Sequence, residues 1–127
     1  MKSLLWTGLF LLLLNSSCQI HETDTLEMDR QQLEEQYNAV LALTSNVPCV
    51  DGVDWAITAI GTKACGGPTG YMAYPLSIDV ANFLHQVAHY TEAEHQFNIK
   101  WGIVSDCSVP ATPSAVICVD GQPQFEY

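Results

Sequence analysis

"SIDVANFLHQVAHYTEAEHQFNIKWG", residues Ser77–Gly102, decides the fold. Val80, Phe83, Leu84, Val87, Tyr90, Thr91, Glu94, Phe97, Asn98 and Trp101 recur at spacings of three and four, so they form one stripe of a helix running from about Ile78 to Lys100. Ser77 or Asp79 supplies a side-chain oxygen for the first free N–H groups. Gly102 ends the helix by accepting a left-handed backbone. A helix with one buried face needs a second layer, and the flanking sequence supplies it.

Upstream, "VDWAITAIG" (Val53–Gly61) is rich in tryptophan and β-branched residues and reads as a strand. "KACGGPTGYMAYP" then makes a turn-rich connection through Gly66, Gly67, Pro68 and Gly70, and "YMAY" reads as a second strand. Downstream, "SVPATPSA" has two prolines and no periodicity, so it is a loop held by its flanking cysteines. "VICV" (Val116–Val119), Asp120–Gly121 and "QPQFEY" read as a terminal hairpin, with Pro123 confining the last strand to an edge.

An earlier helix is expected to begin at Asp24 or Thr25, where Asp24 followed by Glu27 resembles a capping box. Leu26, Leu33, Tyr37, Val40, Leu41 and Thr44 give it an apolar face, and "TSNVP" ends it through Asn46 and Pro48. The fold class expected is α+β: two helices packed on a small antiparallel sheet of three to four strands, stapled by disulfides.

A chain of 127 residues has room for one modest core. Its 14 acidic residues against 4 lysines and arginines give a net charge of -10, which repels phosphate backbones and anionic headgroups. Nucleic acid is therefore not an expected partner.

The N-terminus carries Lys2, the apolar run "LLWTGLFLLLL" (Leu4–Leu14) and then Asn15, Ser16 and Ser17, which is the grammar of a signal peptide. The run falls short of the ~20 apolar residues a spanning helix needs. With Cys18 at the point of cleavage, the segment resembles bacterial lipoprotein precursors: Ser16, Ser17 and Cys18 match, while Asn15 stands where leucine is usual. That resemblance implies lipidation at Cys18, with ordinary secretion as the alternative. Residues 1–17 are then the signal peptide, residues 18–24 the lipidated cysteine and an acidic tether, and residues 25–127 a single domain.

Cysteine parity agrees. Five cysteines in an exported chain leave one over if bridges form, and giving Cys18 to lipid leaves Cys49, Cys65, Cys107 and Cys118. These four allow three pairings. Cys49 with Cys65 and Cys107 with Cys118 are favoured because both are local, each contributing about 3 kcal/mol. No pair has the C-x-x-C spacing of structural zinc sites.

Among chemically competent residues, His85, His89 and Glu92 fall on the helix face opposite the stripe. Histidines at i and i+4 with a carboxylate one turn on can chelate zinc or copper, though a solvated helix face is the favoured explanation. Gln86 occupies the place of a zincin's glutamate, and no nucleophile sits in a recognisable setting. No catalytic constellation and no cofactor are expected. Asp51, Asp54, Asp106 and Asp120 have turn and cap roles. Trp55, Tyr71, Tyr74, Tyr90 and Trp101 are core and rim residues, or a binding patch where exposed near the glycine turn.

Past the signal, "KACGGPTGYMAY", a long helix, "SDC", a proline loop and "VICVDG" resemble a small domain of uncharacterised bacterial secreted proteins and lipoproteins, over roughly Cys49–Gly121. Relatives often carry another cysteine after the D-G turn, where Gln122 and Pro123 stand here. The resemblance implies no activity. Three functions follow as expectations. The first is a lipid-anchored envelope module that binds an envelope or extracellular protein. The second is a secreted, disulfide-stapled protease inhibitor with Lys63 and Ala64 on an exposed loop. The third is a metal-binding or hydrolytic protein using His85, His89 and Glu92.

Overall fold

A computed structural model describes residues 21–127; the expected signal segment, residues 1–17, and the expected lipidation site Cys18 lie outside the described residues. The elements are α1 (His21–Ala42), a 3-10 turn (Gly52–Asp54), β1 (Trp55–Ile60), β2 (Gly70–Pro75), α2 (Val80–Trp101), β3 (Ala115–Val119) and β4 (Gln122–Glu126). The fold is α+β and disulfide-stapled; among the described residues there are two disulfides, and four strands form two antiparallel pairs, β1–β2 and β3–β4, rather than one sheet.

The residues of β1 and β2 explain the division. "WAITAI" and "YMAYP" are apolar on both faces, so a hairpin made from them must be covered on both sides. On one face Ala56, Ile60, Met72 and Tyr74 pack with Val40 of α1 and with Phe83, Val87 and Tyr90 of α2. On the other, Trp55, Ile57 and Ala73 pack with Cys49 and with Val116, Cys118 and Phe125 of the second hairpin. Register keeps the faces distinct, pairing Trp55 with Pro75 and Ile57 with Ala73, and Ala56 with Tyr74. The result is three layers: helices, first hairpin, second hairpin. Phe83 is 0% exposed at the centre of the helix layer, its ring 4.8 Å from that of Tyr74.

Several boundaries differ from the sequence expectation. α1 is described from His21 onward, so residues 21–24 are already helical and Asp24 is not the cap. No glycine or proline in "HETD" opposes helix there. Leu41 is exposed, and Leu33, Tyr37, Val40 and Thr44 make the packed line. In α2, Asp79 is the cap, its carboxylate accepting from Asn82 N at 3.0 Å, so the helix starts at Val80. Leu84 lies off the buried stripe, at 37% exposure. β1 starts at Trp55 because Asp51 Oδ1 accepts from Val53 N at 3.1 Å and curls the preceding residues into the 3-10 turn. Asp120 (φ 50°) and Gly121 (φ 77°) are both left-handed, as a two-residue hairpin turn requires.

The disulfides join Cys49 to Cys118 and Cys65 to Cys107, which overturns the local pairing. Cys49 precedes β1 and Cys65 follows it, so a six-residue strand of about 20 Å separates them. Between Cys107 and Cys118 run the proline loop and the start of β3. Cys49 instead lies on the β3–β4 turn, its N–H donating to Gly121 O at 2.9 Å.

Candidate functional site

Residues 103–114 run without a turn or a bend and without a strand partner. Pro110 and Pro113 fix their own φ and drive Val109 and Thr112 into extended backbone, so four of the five residues 109–113 have their conformation set locally. Unladdered chain of this kind stays in place only if it is anchored, and here both ends are.

The upstream anchor gathers on Lys63. Its ammonium donates to Asp106 Oδ1 (2.9 Å), Ser108 O (2.7 Å) and Ser108 Oγ (2.8 Å), and its side chain is only 17% exposed. The Lys63 hydrogen bond, followed by those from Ser108, holds the Asp106 carboxyl down at about 2. Beside it runs the Cys65–Cys107 bridge, and Cys65 N donates to Ser105 Oγ at 3.3 Å. Cys107 sits at φ 55°, a left-handed conformation that costs a non-glycine residue about 1–3 kcal/mol and persists because its surroundings enforce it.

The downstream anchor is the 2.9 Å hydrogen bond between the hydroxyls of Tyr71 and Thr112, the buried Pro113, and Ser114 N donating to Glu126 O at 2.8 Å. Between the anchors, Val109 is 78% exposed and Ala111 is exposed, whereas Pro110 is half-buried. The two prolines turn toward the body, Pro110 half-buried and Pro113 buried, while Val109, Ala111 and Thr112 are exposed.

The platform beneath is set by α2. Thr91 Oγ1 accepts from Gly61 N (3.0 Å), Glu94 Oε2 accepts from Thr62 N (2.5 Å) and Thr69 Oγ1 (2.8 Å), and Asn98 Nδ2 donates to Thr62 O (2.9 Å). These three polar members of the helix stripe clamp both ends of the glycine turn that carries Lys63 and Cys65. Gly61 is required there: its φ is 74°, and a Cβ would collide with Glu94 and Thr69. Burial, and then the neighbouring Glu94 carboxylate, hold the Tyr90 phenol protonated well above its ordinary range.

The residues singled out from sequence are distributed differently. Lys63 is consumed in the anchor, so it is not the solvent-facing inhibitor residue expected; Ala64 is exposed beside it. His85, His89 and Glu92 are exposed on α2, but Glu92 Oε1 accepts from Gln96 Nε2 at 2.7 Å. Among the described residues no group of three or more His, Cys, Asp and Glu converges to hold a metal ion. Trp55, Tyr74 and Tyr90 are buried, and Trp101 Nε1 donates to Asp29. Tyr71 and Tyr90 line a recess of about 240 Å³ with Tyr37, Ile60, Thr69 and Gly70, near the glycine turn.

Sequence reasoning reads Ser108–Thr112 as part of a proline loop held by its flanking cysteines and gives it no functional role. Its signal was available in the two X-Pro pairs close after a cysteine. No family model, curated protein or solved structure matches the chain.

Proposed function

We propose that this chain is an exported, lipid-anchored envelope protein that binds a partner protein through the stapled loop at residues 105–112. The observation that carries the reading is an exposed crest, Val109–Ala111, fixed on both sides by a disulfide, a triply bonded lysine and a tyrosine hydroxyl. A loop already ordered before contact loses little conformational entropy on binding, so more of the contact energy appears as affinity. Export is supported by the two bridges, which belong to an oxidising compartment, and by the signal-like N-terminus. Four of the five cysteines are in those bridges, which leaves Cys18 as the odd thiol that lipidation would use.

Intact-mass analysis of the protein from its native membrane tests the anchor: cleavage before Cys18 with added acyl mass supports it, and an intact leader contradicts it. Capture from envelope and extracellular fractions, run in parallel with Val109→Asp and Ala111→Asp, tests the loop. A partner retained by the parent chain and lost by both variants supports the reading. Background alone, or a partner that both variants retain undiminished, contradicts it.

A further inference from the structure

We infer that the partner is a serine endopeptidase with a shallow specificity pocket, and that Ser108–Thr112 enters its cleft as a substrate-like inhibitor with Ala111 in that pocket. This rests on reading the loop as the recognition element.

A serine endopeptidase acts on an extended main chain, because only then does the scissile carbonyl meet both the nucleophilic serine and the oxyanion hole. Residues 108–113 contain no helix, turn or bend, and the two X-Pro pairs bias Val109 and Thr112 toward that form. The bond presented follows from chemistry and orientation. Val109–Pro110 is a tertiary amide whose nitrogen carries the proline ring and no N–H, a poor fit for attack. Pro110–Ala111 would require the half-buried Pro110 ring to turn outward. Thr112–Pro113 is a tertiary amide as well, and Ser108–Val109 would need the Ser108 side chain to leave Lys63 and Asp106. Ala111–Thr112 remains: Ala111 is exposed, and its methyl suits a small pocket rather than an acid-floored or deep apolar one. Pro110 and Pro113 also have the spacing of a P-x-x-P ligand, but Pro113 is buried, so a groove reading both prolines is not the match.

The same anchors explain inhibition rather than digestion. Attack by the protease serine forms a C–O bond to the Ala111 carbonyl carbon and breaks its bond to the Thr112 nitrogen. The serine proton passes through the protease histidine to that nitrogen. The new amine stays in place, because Thr112 is tied to Tyr71, Pro113 is buried and Ser114 is bonded to Glu126. It therefore re-attacks the ester, restoring the amide and returning the proton. Water reaches the ester only if the amine leaves. The Cys49–Cys118 bridge spans this bond, so even a nicked chain remains one covalent unit.

The test titrates the full-length protein in detergent against pancreatic elastase, with trypsin as control. Expected are stoichiometric inhibition of elastase, none of trypsin, and, after long incubation, a fragment starting at Thr112 that separates only on reduction. Ala111→Lys should weaken elastase inhibition by about 30-fold or more and confer inhibition of trypsin, the effect of changing a central contact residue. Ala64→Lys should change neither. Both positions are exposed, and matching thermal melts establish that the variants fold. Absence of elastase inhibition, rapid turnover of the loop as substrate, or unchanged selectivity in Ala111→Lys overturns the inference. If the crest-dependent partner of the capture experiment survives that result, only the protease assignment falls; if it is absent too, the loop reading falls with it.

Discussion

Replacing Cys65 and Cys107 together by serine isolates what the staple does. Both residues are exposed, so the change removes little packed surface, and its main effect is on the unfolded chain. The bridge spans 42 residues of sequence, and a loop of that length contributes about 4 kcal/mol at 25 °C in the chain-entropy account. Release of Cys107 from its left-handed backbone offsets about 1 kcal/mol of this. The remaining ~3 kcal/mol corresponds to a fall in Tm on the order of 12 °C for a domain of this size. Circular dichroism melts read that shift, and limited proteolysis reads the loop directly. Cleavage within residues 109–112 should accelerate in the variant, since the upstream anchor loosens while the Tyr71–Thr112 contact persists. A Tm within about 3 °C of the parent chain, together with unchanged loop cleavage, would refute the reasoning.

Three further outcomes follow from the same geometry. Gly61→Ala forces a Cβ into Glu94 and Thr69 at a left-handed position and should cost at least ~2 kcal/mol, read as a lowered urea midpoint. Phe83→Ala empties the most enclosed site in the helix layer and should cost about 3–5 kcal/mol, enough to abolish a cooperative melt in a marginal domain. The Asp106 carboxyl lies below its unfolded value of about 3.9, so its contact with Lys63 is fully present above that pH and is lost as pH falls through about 2. A carboxyl-carbon NMR titration should show this low value, and Lys63→Met should move it back toward the ordinary range; an unchanged titration would exclude Lys63 as the cause.

The α2 helix was legible because its stripe, its Asp79 cap and its Gly102 stop are local signals that agree with one another. The terminal hairpin was legible because Asp120–Gly121 prescribes its turn. The separation into two sheets was not, because strands buried on both faces carry no alternation to say which neighbour covers which side. Disulfide pairing escaped for a related reason: proximity in sequence misleads when an extended strand such as β1 lies between two cysteines. Lys63 looked like an exposed basic residue because nothing near it in sequence announces Asp106 and Ser108, which are 43 and 45 residues away. Thr91, Glu94 and Asn98 were placed on the buried stripe by their spacing, but that they clamp the glycine turn is a property of the assembled layers.

The loop's architecture depends on which thiols are joined, and peptide mapping of the non-reduced protein reads that directly. The account predicts one linked peptide pair containing Cys65 and Cys107 and another containing Cys49 and Cys118. Linkage of Cys49 to Cys65 or of Cys107 to Cys118, or free thiols at these positions, would contradict it.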